Sequence, residues 1–326
     1  MPTARAQLTA VTRNAFVRPG PDATYADGDD ATWLDVDWPS LQRPVELLGR
    51  RVNVLDTGGD QPPLLFLHGW SANWQIFLLN IPAFMGTHRC LALDLPGFGH
   101  SEMPSEPISI QGYAKTVDAM CDALGVDRVS VVGNSMGGFI GAELALSFST
   151  RVDRLVLVSA AGLTTEHLAA EPSIWLAKVV SAGLPVARRW ESAFVRRPRL
   201  RRAVMQSVFR YPERLSVPLA HELVLSAGKP GFVPALKALL GYSYRDRLGQ
   251  IEIPVLIVWG RNDLLVPVGD AARYQRLIGD NAHVVIFEDT GHVPLLERPS
   301  RFNELLRQFL AGEPVPESDI AGTTGG

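Results

Sequence analysis

The segment from Val129 to Phe148 constrains the fold of this chain more than any other feature of the sequence. An apolar run, VSVV, leads into the turn GNSMG, and the helical pattern FIGAELALSF follows it. A serine at such a strand-to-helix turn takes a strained backbone that presents its hydroxyl above the sheet, and the flanking glycines let strand and helix crowd together. Capping of the helix by Ser135 is the alternative interpretation, but capping requires no glycine upstream. The segment therefore predicts a nucleophilic Ser135 at a sheet edge.

Short apolar runs alternate with helical patterns along most of the chain. The apolar runs are Val45–Leu48, Arg51–Leu55, Leu64–Leu67, Cys90–Leu93, Val129–Val132, Leu155–Val158, Val255–Trp259 and Val284–Phe287. The helical patterns are Ile110–Leu124, Met136–Phe148, Ala271–Leu277 and Arg301–Leu310. Continuous apolar strands separated by helices are typical of a buried parallel sheet with helices on both faces. The first two runs, split by Gly49, predict an antiparallel hairpin joined to that sheet.

The stretch 163–248 interrupts this alternation, because it contains helical patterns and no strand-like run. Open α/β sheets bind ligands at the carboxyl ends of their strands, and an insertion at this point of the chain lies over that edge. The sequence predicts a helical cap over 163–248, inserted into a core formed by 41–162 and 249–311.

The two ends of the chain differ from this core in composition. Residues 1–40 are mixed and turn-rich, and we expect an N-terminal extension whose part around Trp33 to Trp38 packs on the domain. Residues 312–326 are small, polar and proline-containing, which predicts a disordered tail.

The charge balance excludes several kinds of partner. The net charge is -3, with 46% hydrophobic and 20% charged residues, so neither nucleic acid nor an anionic membrane is indicated. No run approaches the roughly 20 apolar residues of a membrane span, and no secretory signal is visible at the N-terminus. Cys90 and Cys121 are expected to be reduced, packed thiols, since disulfides persist mainly in oxidising compartments. We expect a cytoplasmic monomer or homodimer without a metal site.

A serine hydroxyl needs a base within hydrogen-bond reach, and His292 is the histidine whose position fits. It lies in TGHVP, a loop after the last predicted strand that returns to the catalytic edge of the sheet. The acid should follow the preceding strand, where Asp263 stands in GRND. A carboxylate there would fix the histidine tautomer and stabilise the imidazolium. Asp94, in DLPGFG, is the competing acid and is expected to hold its own turn instead.

An oxyanion hole needs two backbone N–H groups aimed at the oxygen of the tetrahedral intermediate. Met136 is the candidate at the helix N-terminus. Trp70, in LHGW, is the second candidate, with Gly69 letting the backbone approach. His68 is expected to brace this loop through hydrogen bonds.

These motifs together resemble the α/β-hydrolase fold superfamily. HGW, DLPGFGHS, GNSMGG, GRND and GHVP occur in that family's order between Val45 and Leu310. The resemblance implies an α/β-hydrolase fold: a mostly parallel eight-stranded sheet with helices on both faces and an inserted helical cap. It also implies chemistry without a cofactor, through an acyl-enzyme on Ser135 in the ester-cleaving members.

The substrate class is less constrained than the fold. Dehalogenases and epoxide hydrolases of this group use an Asp nucleophile, so Ser135 argues against both. The GNSMGG turn is similar to that of meta-cleavage carbon–carbon bond hydrolases, but those usually carry Trp after the catalytic histidine, where Val293 stands here. The first interpretation is therefore a serine hydrolase of carboxylic esters with small to medium acyl chains, and carbon–carbon bond hydrolysis is the alternative. Lactonase, thioesterase or perhydrolase activity, or a non-catalytic binding protein, remains open.

The predicted cap carries a cluster of arginines and several apolar side chains whose roles the sequence leaves open. The arginines are Arg188, Arg189, Arg196, Arg197, Arg199, Arg201 and Arg202. They form either a solvated helical face or a contact for an anionic substrate group or acidic carrier. The candidate pocket residues for a small-molecule ester are Phe139, Leu264, Val293, Trp175 and Trp190.

Overall fold

The computed structural model describes residues 25–27, 32–164, 191–224, 228–316 and 318. An eight-stranded sheet in the order β1-β2-β4-β3-β5-β6-β7-β8 forms its centre. The strands are β1 (Gln42–Leu47), β2 (Arg50–Asp56), β3 (Pro63–Leu67), β4 (Arg89–Leu93), β5 (Val129–Asn134), β6 (Val152–Val158), β7 (Val255–Gly260) and β8 (Ala282–Phe287). Each predicted apolar run overlaps one of these strands, and the predicted fold class is confirmed.

The sheet is mostly parallel, and its strand order reverses at β3. β1 pairs with β2 and β2 with β4 in antiparallel fashion, whereas the remaining pairs are parallel. β3 lies between β4 on one side and β5 on the other. Loops that leave adjacent strands at such a reversal diverge and open a crevice at the carboxyl ends. The loops after β3 and β5, which carry Trp70 and Ser135, border that crevice.

Helices cover both faces of the sheet and form the described part of the insertion. They are α1 (Trp38–Leu41), α2 (Ile81–Phe84), α3 (Ile110–Ala123), α4 (Met136–Ser147), α5 (Glu191–Arg196), α6 (Pro198–Met205), α7 (Val217–Val224), α8 (Phe232–Leu240), α9 (Gly269–Ile278), α10 (Pro294–Glu297) and α11 (Pro299–Ala311). Short 3-10 turns lie at Thr32–Asp35, Trp74–Phe77, Pro212–Arg214 and Arg245–Gln250.

Two apolar cores form because successive side chains of a strand point to opposite faces of the sheet. In β3, Leu65 and Leu67 join the core under α3, α4 and α9, whereas Leu64 and Phe66 join the core under α2, α10 and α11. Full burial of one such side chain contributes about 1.5–3 kcal/mol. The two cores therefore hold the strand ends in fixed positions, from which the loops after β3, β5, β7 and β8 leave the sheet.

The described part of the insertion between β6 and β7 consists of helices joined by turns and irregular segments. The described residues of 163–248 contain α5 to α8 and no strand. They contact two loops of the core: Gly231 N donates to Gly97 O at 2.9 Å, and the Phe232 ring stacks on Trp70 with centroids 4.2 Å apart. The cap therefore touches the loops after β3 and β4, while its predicted limits at 163 and 248 stay predictions.

The described part of the N-terminal extension packs on the core. Tyr25 and Trp33 are buried, and the Trp38 ring lies against Trp74 with centroids 5.1 Å apart. Asp27 Oδ1 accepts a hydrogen bond from the backbone N–H of Ser216, in the cap, at 3.2 Å. The extension thus contacts both the core and the cap.

Ser318, in the tail for which the sequence predicts disorder, makes two hydrogen bonds to β8. Ser318 N donates to Val284 O at 3.0 Å, and Ile286 N donates to Ser318 Oγ at 2.8 Å. β8 is the last strand of the sheet, so its outer N–H and C=O groups lack a neighbouring strand. Ser318 satisfies two of them, an interaction with no sequence signal of its own.

Several other predictions concern membrane spans, metal sites and the two cysteines. No helix in the described ranges is long and apolar enough to cross a membrane. Within the same part of the chain, no group of three or more His, Cys, Asp or Glu side chains is arranged to hold a metal ion. Cys90 and Cys121 are free and buried, and burial raises the pKa of each thiol to about 12. Neither thiol is therefore available as a thiolate nucleophile at neutral pH.

Candidate active site

Ser135 stands at the end of β5 in a strained backbone conformation. Its φ of 55° and ψ of -117° lie in a region that residues with side chains rarely adopt. Its N–H donates to Val158 O at 2.9 Å, and its C=O accepts from Ala161 N at 3.1 Å, so β6 and the segment after it hold the turn. The Ser135 hydroxyl makes no capping bond to α4. The strain therefore presents a hydroxyl that the helix does not use.

The glycines of the turn are required by close backbone approach. A Cβ on Gly133 would lie 2.4 Å from Gly137 O, and one on Gly137 would lie 2.0 Å from Leu67 O. Both neighbours are backbone atoms that cannot move independently. The same crowding brings the N-terminus of α4 against the loop that follows β3.

His292 and Asp263 form a close pair at the ends of β8 and β7. His292 Nδ1 lies 2.7 Å from Asp263 Oδ2, and the carboxylate is fully buried. The other carboxylate oxygen, Oδ1, accepts from Leu265 N at 2.8 Å and Val266 N at 3.0 Å. Asp263 therefore has a fixed orientation in which Oδ2 faces Nδ1 of His292.

Asn134 connects the Ser135 turn to the His292 loop. Its side-chain Nδ2 donates to His292 O at 3.3 Å and to Val158 O at 3.2 Å. His292 N in turn donates to Val208 O, in the cap, at 2.9 Å. The histidine backbone is thus held between the residue preceding the serine and the cap.

Two backbone N–H groups border the serine and have no protein acceptor in the described part of the chain. They belong to Trp70, after β3, and Met136, the first residue of α4. Gly69 lies beside the nucleophile turn, since a Cβ on it would be 3.0 Å from Ser135 Cβ. The Trp70 side chain is anchored by its indole N–H, which donates to Phe232 O at 2.6 Å. These are the two amides that the sequence predicts as an oxyanion hole, and that role stays a prediction.

Comparison with known proteins identifies the family of this chain. A family model described as alpha/beta hydrolase fold matches residues 62–299. The chain belongs to this family. It is a hydrolase of the α/β fold, and its relatives include hydrolases of several substrate classes.

Two curated relatives of this α/β hydrolase are 2-hydroxy-6-oxononadienedioate/2-hydroxy-6-oxononatrienedioate hydrolases. The protein of Paraburkholderia phymatum is 30% identical over 274 residues, which cover 80% of this chain and 91% of that protein. The protein of a Pseudomonas species is 29% identical over 275 residues, which cover 80% and 92%. The similarity therefore extends over nearly the whole of both relatives.

Two solved structures are similar to this α/β hydrolase as well. A meta-cleavage product hydrolase variant is 26% identical, with a TM-score of 0.66 and coverage of 84% of this chain and 99% of that chain. An enzyme that degrades N-acyl homoserine lactones is 28% identical, with a TM-score of 0.64 and coverage of 82% and 100%.

The other two candidates of the sequence analysis, His68 and Asp94, hold loops of the hydrolase. His68 Nδ1 lies 2.8 Å from Gly69 O, and Leu95 N donates to His68 Nε2 at 2.9 Å. Burial lowers the pKa of His68, so its ring is neutral and braces the Trp70 loop. Asp94 is buried and accepts from Asn53 Nδ2 and His100 N, both at 2.9 Å, and from the Trp74 amide at 3.2 Å. These bonds hold the Asp94 carboxylate within its own turn and the neighbouring segments, whereas the carboxylate that contacts His292 is that of Asp263.

The predicted pocket residues have different surroundings. Phe139 has no exposed surface and packs edge-on against Tyr244 with centroids 4.4 Å apart, which places it in the aromatic core. Val293 is buried beside His292, and Leu264 is partly exposed next to Asp263. Trp175 and Trp190 lie outside the described residues.

The arginine cluster separates into different environments. Arg201 is buried, and its guanidinium donates to the backbone carbonyls of Val195, Pro212, Glu213 and Leu215. The Arg201 guanidinium is therefore neither solvated nor available to a substrate, because its N–H groups are hydrogen-bonded to four backbone carbonyl groups of the cap. Arg202 pairs with Glu213 at 3.3 Å. Arg196, Arg197 and Arg199 are exposed, and Arg188 and Arg189 lie outside the described residues.

Proposed function

We propose that this α/β hydrolase cleaves a bond at a carbonyl carbon with Ser135 as nucleophile, His292 as general base and Asp263 as the acid that orients the histidine. The observation that carries the proposal is the 2.7 Å contact between His292 Nδ1 and Asp263 Oδ2, at the same sheet edge as the strained Ser135 turn. Asn134 ties the two loops together, which supports a joint role. A nucleophile, a base and a group that orients the base are the components of a serine triad.

The reaction would proceed in two halves. His292 Nε2 takes the Ser135 hydroxyl proton as Oγ bonds to the substrate carbonyl carbon, and the carbonyl oxygen becomes an oxyanion. The Trp70 and Met136 amides would stabilise that charge. When the oxyanion re-forms the carbonyl, the leaving group departs with the bonding electrons and takes the proton from the imidazolium. Water then attacks the acyl-enzyme by the same steps, releasing the acid and restoring Ser135.

A carbon–carbon bond of a meta-cleavage-type product is the substrate bond that the comparisons favour. The match with this chain covers 92% and 91% of the two relatives named as 2-hydroxy-6-oxononadienedioate/2-hydroxy-6-oxononatrienedioate hydrolases. In such a substrate the departing carbon can leave because a conjugated carbonyl delocalises its electron pair. The comparisons therefore support the alternative of the sequence analysis better than its first interpretation, ester cleavage.

Ester or lactone hydrolysis is the second candidate, and two observations favour it. The similar lactone-degrading enzyme shows that the family's fold at this level of identity also accommodates a cyclic ester. In addition, the buried arginine of the described cap, Arg201, is bonded to carbonyls and is not available for a substrate carboxylate.

A paired assay tests the proposal. Purified enzyme is treated with a fluorophosphonate, and intact-mass and peptide analysis should find one adduct on Ser135, absent in Ser135→Ala. A substrate panel then compares p-nitrophenyl and lactone esters with 2-hydroxy-6-oxohexa-2,4-dienoates by kcat/KM. We expect the dienoates to be preferred. Preference for esters would select the second candidate, and no adduct on folded protein would refute the serine mechanism.

A further inference from the structure

Glu297 is a buried carboxylate that the proposed mechanism does not use, although it binds the residues on both sides of His292. It accepts from Gly291 N at 3.0 Å and from Val293 N at 3.1 Å, the backbone amides on either side of the histidine. We propose that Glu297 is a positioning residue that fixes the His292 backbone by holding both flanking amides. This inference rests on the proposed function, because it assigns Glu297 a role through the general base.

The two flanking amides bind different carboxylate oxygens. Gly291 N donates to Oε2, and Val293 N donates to Oε1, so one rigid, planar group spans the histidine. The remaining backbone groups of His292 are held by the Val208 carbonyl and the Asn134 side chain. The N–H and C=O groups of His292 and the N–H groups of both flanking residues therefore all have partners. Such a backbone leaves the imidazole only its side-chain rotations, and Asp263 restricts those.

Two further donors connect Glu297 to distant parts of the chain. Arg210 N, in the cap, and the Tyr25 hydroxyl, in the N-terminal extension, both donate to Oε2 at 2.8 Å. The Tyr25 oxygen in turn accepts from Tyr211 N at 2.9 Å. The cap and the extension thus meet the histidine loop at a single carboxylate.

The contacts identify the charge state of Glu297. Burial raises the pKa of its carboxyl, whereas the amides of Arg210, Gly291 and Val293 and the Tyr25 hydroxyl oppose that rise. All four neighbours donate, and the Tyr25 oxygen already accepts from Tyr211 N. A proton on the carboxyl would leave one hydroxyl without an acceptor among the described residues. The ionised form, with four donors, satisfies the geometry.

A purely structural role is the competing explanation, and it has its own geometry. Glu297 ends the short helix α10 and its carboxylate reaches back to Val293 N at the start of that helix. A bond of this kind stabilises a helix N-terminus whatever the neighbouring residue does. It does not require the bond to Gly291 N, on the other side of the histidine. The two explanations differ in whether substitution changes His292 or only the stability of the fold.

The test is Glu297→Gln, an isosteric change that replaces one acceptor oxygen by an NH2 group facing N–H donors. Displacement of a catalytic group by about 1 Å can lower a rate by about 100-fold. We expect kcat to fall by about that factor with KM within twofold. We also expect loss of the far-downfield proton NMR signal of His292 Nδ1–H, assigned by its absence in His292→Ala.

Two matched variants separate positioning from stability. Glu143→Gln changes another buried carboxylate, which binds Arg247 at 2.6 Å on the opposite face of the sheet, and should lower Tm while leaving kcat within twofold. Tyr25→Phe removes one Oε2 donor but neither flanking amide, and should likewise cost stability and not kcat. If Glu297→Gln does not fold, Glu297→Asp, too short to span both amides, takes its place.

The outcomes assign failure to one proposal or the other. Glu297→Gln with wild-type kcat and an unchanged His292 proton signal overturns the positioning role, even if Tm falls as in Glu143→Gln. If wild-type protein hydrolyses no panel substrate but the signal is lost in Glu297→Gln and kept in Glu143→Gln, the proposed function fails and the positioning role stands.

Discussion

The Ser135 turn and the His292 loop lie at the same sheet edge, and their positions are fixed in different ways. The Ser135 turn depends on two glycines close to it in sequence, because Gly133 and Gly137 provide the clearance for its strained backbone. The His292 loop is held by partners far away, since Asp263 is 29 residues from it and Asn134 is 158 residues from it. The pattern that specifies the Ser135 turn is therefore largely local, whereas the position of His292 depends on the completed fold.

This difference predicts how each region responds to substitution. Adding a Cβ to Gly133 or Gly137 of the Ser135 turn should destabilise the fold, because the surrounding backbone atoms leave no room for it. Removing one hydrogen bond from the His292 loop should have only a partial effect, because several separate hydrogen bonds each hold part of the loop. The following experiments compare the two regions, beginning with the largest expected effect.

Removing the Ser135 hydroxyl or the His292 imidazole should lower kcat to the same extent, although the two residues lie in different regions. Ser135→Ala and His292→Ala should each lower kcat by about 10⁵–10⁶-fold, and the double variant should lose no more, because the residues act as a unit. Steady-state kinetics on the best panel substrate measures this, with circular dichroism to verify folding. Additive losses would show that the two loops act independently.

Asp263→Asn should remove the orientation of His292 while keeping the shape of the loop. An amide at this position favours the wrong tautomer, and kcat should fall by about 10⁴-fold. Asn262→Ala, at the adjacent position, is the control and should change kcat little. A loss of less than tenfold in Asp263→Asn would mean that another group orients the base.

Gly137→Ala tests the steric specification of the serine turn. Its Cβ would lie 2.0 Å from Leu67 O, so we expect the free energy of unfolding to fall by about 3 kcal/mol, measured by urea denaturation. Gly86→Ala is the matched control, because nothing lies within 4 Å of its added Cβ. Equal stability of the two variants would contradict the close approach of α4 to the β3 loop.

Asn134→Ala tests a side chain that joins the two regions. It removes a bond to His292 O and a bond to Val158 O, each contributing about 1 kcal/mol, so kcat should fall by about tenfold. Asn281→Ala, which also loses a bond to a backbone carbonyl but far from the site, should keep its kcat. Similar kinetics for both variants would indicate that the loops are positioned separately.

His68 should make stability depend on pH through the loop that carries Trp70. Burial lowers the pKa of His68 in the folded chain below the value of about 6.5 expected when unfolded. Below pH 6.5 the unfolded chain therefore binds a proton that the folded chain excludes, and stability is lost as pH falls toward the folded pKa. Urea denaturation between pH 7 and 5 should show this slope, reduced in His68→Gln and kept in His221→Gln, an exposed control.

The sequence predicted the parts of the site that depend on local pattern. The eight strands follow from continuous apolar runs, and the turn at Ser135 follows from the spacing of its glycines. Asp263 and His292 could be proposed because each follows a strand, and parallel strands end at one edge. The bond between them still required the structure, since loop position alone does not fix a distance.

Other residues of the site carry no such pattern. Glu297 stands in PLLERPS as an ordinary charged residue near a helix start, and its burial depends on donors from Tyr25 and Arg210, hundreds and tens of residues away. Arg201 belongs to an arginine-rich run that suggests a solvated face, yet the folded cap encloses it among carbonyls. Ser318 is polar and near the terminus, and only an open strand edge gives it a partner.

The sequence by itself determined the sheet, the strained serine turn and the strand ends from which His292 and Asp263 project. The physical reason is that apolar periodicity and glycine spacing act over a few residues, where chain geometry is nearly fixed. The tertiary structure alone decided how the His292 backbone is held and which charged residues are buried. Those properties arise from desolvation and from hydrogen bonds between distant segments, which exist only once the cap, the extension and the core have come together.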